Sequence, residues 1–243
     1  MSTSTYLELA DELEELVRRS EPDERLPSEN EIVEQRSVSR VTVRSALQEL
    51  ERRSLVRRVR GRGTFVARRL EYVVGAKMAP SWSATVRAAG GTPGAEVLGC
   101  EPGAASPEVA RLLEIGDDEV CTLRRRGYVD GLVATSASSA VPVEFGAASL
   151  AASQGGSLHA AFRELGLDVH RAWSRAELVV PGADVAEALG YEGRPPTWLV
   201  ESLNRDRSSR RAVEYSRTWM RADVFRLRFE LGPEHPDDDE EST

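Results

Sequence analysis

LPSENEIVEQRSVSRVTVRSALQELERRSLVRRVRGRGTFVA, residues 26–67, decides how the N-terminal part of the chain is read. Ser28 followed by Glu31 has the spacing of a capping box, so a short helix is expected from there to about Arg36. Ser37-Val38-Ser39 makes a turn, and Ser39 is placed to cap a second helix running from Arg40 to about Arg53. On that helix Val43, Ala46, Leu47 and Leu50 form an inward stripe, while Arg40 and Arg44 share the outward face. Ser54-Leu55-Val56 then leads into alternating residues, a tip at Arg60-Gly61-Arg62-Gly63 and a return strand Thr64-Phe65-Val66. Upstream, Tyr6, Leu9, Leu13, Leu16 and Val17 recur at helical spacing up to about Arg19, where Glu21-Pro22-Asp23 stops the pattern. Three helices and a hairpin make a winged helix-turn-helix.

Charge sharpens this reading. Between Arg36 and Arg69 eleven arginines face two acids, whereas the 35 residues before Arg36 hold three arginines and eleven acids. The chain as a whole carries a net charge of −8, which hides the basic block. A basic block on a compact helical unit is the electrostatic footprint of duplex DNA binding. A lone basic helix is usually only a solvated face, and Arg52 and Arg53 can be of that kind or can pair with the acidic first helix. The run Arg57–Arg62 directly after a helix-turn-helix is harder to explain that way. In the major groove an arginine at Arg40 or Arg44 can read guanine O6 and N7 with two hydrogen bonds. Ser28, Ser39 and Thr42 stand at or near helix N-termini, where hydroxyl and N–H groups can hold a phosphate oxygen. The tip from Arg60 to Thr64, with Gly61 and Gly63 lacking side chains, can approach the DNA backbone or minor groove closely.

The remainder, residues 80–232, interleaves arginines with acids and alternates strands with helices. Strands are expected at Ala95–Cys100, Val120–Val129, Gly131–Val143, Val169–Val180, Pro196–Arg205, Ala212–Arg221 and Phe225–Leu231. Helices are expected at Ser106–Glu114, Ala183–Leu189, before Gly90-Gly91, and from Gly156-Ser157 through Leu165. Asp130-Gly131 reads as a hairpin turn. The fold class is therefore α+β: residues 1–69 a winged helix-turn-helix, 70–79 a linker, 80–232 an antiparallel-sheet domain with helices, and 233–243 an acidic disordered tail. Cys100 and Cys121 imply neither a disulfide framework nor a metal site, and Cys121 reads as a core residue of its strand. No apolar run approaches a membrane span and the N-terminus is no secretory signal, so the cytoplasm is expected. No nucleophile–base set, metal cluster or cofactor loop is present in the sequence, so neither an enzyme nor a cofactor is expected.

Residues 6–67 resemble the DNA-binding domain of GntR-type bacterial repressors. LPSE (Leu26–Glu29), VSRVTVRSAL (Val38–Leu47) and GRGTFV (Gly61–Val66) match that family's pattern in order and spacing. The resemblance places DNA contacts on Ser28, Ser39, Arg40, Thr42, Arg44, Arg60, Gly61 and Gly63. Two positions depart from the pattern: Asn30 where arginine is usual, and Ser54 where glycine is usual. Residues from about 72 to 231 are similar to the UTRA effector domain of the HutC-type branch, which implies a chorismate-lyase-like fold. Around Tyr72, Trp82-Ser83 and Glu214-Tyr215-Ser216 the chain is similar to regulators of phosphonate-utilisation operons.

By this resemblance the effector site draws on Ser81, Ser83, Arg125, Ser157, His159 and Glu214. Helix N-termini, hydroxyls and an arginine suit a small phosphorylated or phosphonate anion. Relatives that bind sugar phosphates carry two arginines two apart on one strand; here the partner of Arg125 is Gly127, so a smaller ligand, or none, is expected. His159 can equally be a surface or packed helix residue, and Glu214 a structural acceptor. The resemblance implies a ligand-responsive repressor, a homodimer on a pseudo-palindromic operator of double-stranded DNA. The alternative is a regulator whose second domain only dimerises.

Overall fold

The structure, a computed structural model, describes residues 3–59, 61–75, 82–116, 119–146 and 158–230. Arg60, Ser81, Ser157 and the tail at 233–243 lie outside the described residues. The head begins with α1 (Thr3–Arg19), α2 (Glu29–Arg36) and α3 (Arg40–Arg52), followed by the hairpin β1 (Val56–Val59) and β2 (Gly63–Val66). Leu9, Leu13 and Val17 of α1 meet Ile32 of α2, Val43, Leu47 and Leu50 of α3, and Val56 and Val66 of the hairpin in one buried cluster. Each helix donates one apolar stripe, so none could bury its face alone. The segment before α2 runs beside β2, with Leu26 N–H donating to Thr64 O at 2.9 Å and Val66 N–H to Glu24 O at 2.8 Å.

Both expected caps form. Ser28 and Glu31 close a capping box on α2, and Ser39 Oγ accepts from Thr42 N–H on α3. Ser54, where relatives usually carry glycine, has φ 56°, the left-handed conformation that explains the preference for glycine at this helix exit. Of the two readings of Arg53, pairing with the first helix is the one observed: it meets Asp11 at 2.8 Å, Glu14 at 2.7 Å and Glu49 at 2.9 Å, locking α3 to α1. Hydrogen bonds from Arg52 and then Arg53 outweigh burial and bring the Glu49 carboxyl down to about 2. A depressed carboxylate contributes stability that is present above its unfolded pKa and lost as pH falls through the folded one. Acid titration followed by circular dichroism is therefore expected to weaken the head between about pH 4.5 and 2, and Glu49→Gln to flatten that loss.

The second domain is built from β3 (Leu70–Gly75), α4 (Trp82–Ala88), β4 (Pro93–Ala104), α5 (Pro107–Leu113), β5 (Glu119–Val129) and β6 (Leu132–Pro142). It continues with α6 (Leu158–Glu164), β7 (Val169–Val179), α7 (Ala183–Ala188), β8 (Thr197–Asp206), β9 (Ala212–Arg221) and β10 (Phe225–Glu230). Six strands form an antiparallel sheet in the order β4-β5-β6-β9-β8-β7. The Asp130-Gly131 turn has both φ values positive, 50° and 78°, as a tight hairpin joining β5 to β6 requires. Leu158 and Phe162 of α6 pack on Leu123, Val141 and Val213 on one face of the sheet, and α4 covers the same face further along through Trp82 and Val86. On the other face α5 sits over Val120, Ala140, Leu203 and Tyr215.

Two expectations are corrected. Residues 70–75, placed in the linker, form β3, which pairs in parallel with β10 from Leu70↔Phe225 to Gly75↔Glu230. The partner strand lies about 150 residues away, so local composition carries no sign of the pairing. Cys100 and Cys121 are joined by a disulfide. Their register puts Cys100 opposite Leu123 and Pro102 opposite Cys121, which makes the two cysteines diagonal neighbours with Cα atoms 6.0 Å apart. A separation of 21 residues gives no hint of this, because it depends on how β4 and β5 pair.

Candidate nucleic-acid interface and effector site

On the head, α3 turns Val41, Arg44 and Gln48 outward and keeps Val43, Ala46, Leu47 and Leu50 inside. Arg40 is exposed, and the Arg44 side chain is 62% exposed. Glu29, at the start of α2, holds Arg44 at 3.5 Å and Arg58 of the wing at 3.1 Å. One carboxylate thus orients an arginine of the reading helix and one of the wing. The sequence reading did not single out Glu29 in that role. Ser28 and Ser39 stay half-buried at their helix starts, their hydroxyls engaged in capping. Thr42 is buried with its hydroxyl 2.9 Å from Ser39 Oγ, and Thr64 is buried too, so both side chains brace the head from within.

At the wing tip Gly61 has φ 71° and Gly63 φ 117°. A Cβ on Gly63 would also come 3.0 Å from Arg25 Nε. Arg62 is exposed with its guanidinium 5.9 Å from the Phe65 ring, and Arg57 lies over the same ring at 5.8 Å while pairing with Asp23 at 2.6 Å. The tip therefore presents backbone and Arg62 outward on a braced base.

In the second domain three of the expected residues converge. Arg125 on β5 donates to Ser139 Oγ at 2.9 Å, Ser139 donates to Glu214 Oε1 at 2.6 Å, and Asn204 Nδ2 donates to Glu214 Oε2 at 2.7 Å. Arg125 itself stands 3.7 Å from Glu214. Burial pushes the Glu214 carboxyl up, but His159, Arg125 and the hydrogen bonds from Ser139 and Asn204 outweigh it and keep the group ionised. His159 on α6 is half-buried, and burial lowers its pKa against the pull of Glu214.

The strand register extends the row: Arg171 on β7 faces Asn204 on β8, and Asn204 faces Glu214 on β9. Several buried atoms in this row have no hydrogen-bond partner among the described residues: Arg125 Nε, Arg171 Nε and Nη1, Asn204 Oδ1 and His159 Nε2. Buried polar groups are ordinarily satisfied, and these open donors, with one open amide acceptor, leave hydrogen-bonding capacity that a polar molecule can take up. Ser139, Asn204 and Arg171 were not picked out from sequence; strand alternation gives their face, but only the register gives their neighbours.

Ser83 stands half-buried in the first turn of α4, next to Trp82. A Cβ at Gly127 would clash with Thr135 Oγ1 and come 2.8 Å from the Trp82 ring. Trp82 thus occupies the space a second strand arginine would need, so the glycine and the broken arginine pair belong together.

Residues 5–66 match the gntR family of bacterial regulatory proteins and residues 88–226 match the UTRA domain. The chain belongs to the GntR family. Its architecture is that of the HutC-type branch, a DNA-binding head joined to a UTRA domain. It is 29% identical over 228 residues to the HTH-type transcriptional regulator GgaR of Escherichia coli (strain K12), covering 92% of this chain and 90% of the relative. To the HTH-type transcriptional repressor NagR of Bacillus subtilis (strain 168) it is 33% identical over 114 residues, 46% of each chain. The crystal structure of PhnF from Mycobacterium smegmatis superimposes with a TM-score of 0.63 at 26% identity, covering 92% of this chain and 98% of that one. As a GntR-family member the protein is a DNA-binding transcription regulator and not an enzyme. Among the described residues no helix is long and apolar enough to cross a membrane.

Proposed function

We propose that this GntR-family protein is a repressor, acting in the cytoplasm as a homodimer on a pseudo-palindromic operator and released by a small anionic effector, a phosphonate or a phosphorylated compound. Arg40, Arg44 and the wing from Arg60 to Gly63 carry the DNA contacts, with Ser28 and Ser39 beside the phosphates, while the buried Thr42 and Thr64 act as braces. Arg125, His159 and Glu214, joined by Arg171 and Asn204, take the effector, together with Ser81, Ser83 and Ser157, which the resemblance assigns to the same site. The observation that carries the second half is the cluster of buried, unpartnered guanidinium nitrogens on Arg125 and Arg171. An oxyanion satisfies them with charge-assisted hydrogen bonds, while a donor on the same molecule meets Asn204 Oδ1.

The two domains meet where Arg68 lies 3.7 Å from Asp130 and donates to Gly90 O at 3.2 Å. A crevice of about 670 Å³ runs between Arg58 and Val59 of the wing and Tyr191, Arg194 and Arg221 of the second domain. Effector binding needs only unequal affinity for two arrangements of this junction; a coupling of about 1–3 kcal/mol changes DNA affinity roughly 5- to 150-fold.

The test is a thermal-shift series against methylphosphonate, inorganic phosphate and sugar phosphates. A binder raises the melting temperature with its concentration. The expected result is such a rise for at least one of these anions, lost in Arg125→Ala. No rise with any of them contradicts the effector assignment and favours a domain that only dimerises.

A further inference from the structure

Val41 is 75% exposed, the highest value among the large hydrophobic side chains of the described residues. Single exposed apolar residues are common on protein surfaces and by themselves mean nothing. Val41 differs in where it stands. It lies on the outward stripe of α3 that runs through Val41, Arg44, Ser45 and Gln48, at positions i, i+3, i+4 and i+7, with Arg40 immediately before it.

Packing does not account for it. The partly buried apolar residues that lean on the core of the head are Val33, Val38 and Leu55, and Val41 is not among them. Local propensity does not account for it either, because a β-branched side chain is a mediocre helix former. Arg40 and Arg44 flank it on the same helix, so it is a lone apolar point in a cationic stripe rather than part of an apolar patch. Such a stripe is complementary to the anionic groove of a duplex. There, guanine offers acceptors to arginine, and thymine offers a single apolar feature, the C5 methyl group.

We propose that Val41 is a specificity-determining residue that reads the 5-methyl group of a thymine next to the base pair addressed by Arg44. The inference rests on the DNA-reading face assigned above. It adds to the arginine contacts a preference that charge cannot supply, since neither Arg40 nor Arg44 detects a methyl group.

The test uses the full-length protein and a duplex recovered by repeated gel-shift selection from a randomised pool. Each thymine of that duplex is replaced in turn by deoxyuridine, which keeps the base pair and removes only the methyl group. For one thymine in each site read by a head, the wild type is expected to bind roughly three- to fivefold more weakly, the worth of about one buried methyl group. Val41→Ser, whose melting temperature should match the wild type because the side chain is 75% exposed, is expected to bind the thymine duplex more weakly and to be indifferent to deoxyuridine at that position. Equal wild-type affinity for every deoxyuridine duplex overturns the proposal. So does a Val41→Ser protein that keeps the same deoxyuridine penalty. If no duplex is recovered at all, the DNA-reading face itself falls, and this inference falls with it.

Discussion

Replacing Arg44 with alanine is expected to weaken binding to a selected operator duplex by ~1–3 kcal/mol, roughly 5- to 150-fold, while the melting temperature stays at its wild-type value. The stability half of this follows from exposure. The Arg44 side chain is 62% exposed, and its ion pair with Glu29, at 3.5 Å, is of the surface kind that contributes ~0–1 kcal/mol. The affinity half follows from position: Arg44 lies on the outward stripe of α3, the face proposed above to enter the major groove. Arg52→Ala is the matched control. That arginine is bound to Glu49 at 2.7 Å at the far end of the same helix, so its loss removes a positive charge without touching the reading face. An anisotropy titration in which both variants weaken equally would mean that the basic block acts only as diffuse charge.

The second large effect is expected in the effector domain. Glu214→Leu removes the acceptor of the buried Ser139 and Asn204 and the counter-charge of the partly exposed Arg125, all on one patch of the sheet. Removing one member of a buried charged network leaves the others desolvated and unpaired, at a cost of ~3–5 kcal/mol. All four tryptophans, Trp82, Trp173, Trp198 and Trp219, belong to this domain, so urea unfolding followed by tryptophan fluorescence reports on it without interference from the head. The midpoint is expected to fall well below that of the wild type. Glu214→Gln, which keeps an acceptor and loses the charge, should fall between the two. A midpoint unchanged in Glu214→Leu would show that the network contributes nothing to folding.

The head was legible in the sequence because its signals are local. Ser28 and Glu31 are three residues apart, the inward stripe of α3 repeats within two turns, and Gly61 and Gly63 mark the wing tip; each is a short-range consequence of helix or turn geometry. Side-chain direction was less legible. Thr42 and Thr64 fall within the recognised motifs yet point inward, since a motif fixes residue type and position but not which neighbour a hydroxyl finds. Arg53 was readable either as surface charge or as a partner of α1, and only the packing of α3 on α1 decides for the second.

In the effector domain the strands and the β5–β6 turn could be anticipated from alternation and from Asp130-Gly131. Their order could not. The placement of β9 between β6 and β8, and of β10 beside β3, joins segments far apart in the chain. Because the polar row from Arg171 through Asn204 to Glu214 exists only in that register, Arg125 and Glu214 were found from resemblance while Arg171, Asn204 and Ser139 required the sheet. The disulfide between Cys100 and Cys121 was missed for the same reason: pairing on a ladder is set by register and not by spacing.

The central claim is that an anion held in the effector domain changes how tightly the head grips DNA. It is tested most directly by titrating a fluorescent selected duplex with the full-length protein, in the absence and in saturating presence of whichever anion raises its melting temperature. The account predicts a change in Kd of at least fivefold, the lower end of ordinary coupling between sites, and no change in Arg125→Ala. A wild-type Kd that is the same with and without the bound anion would contradict it.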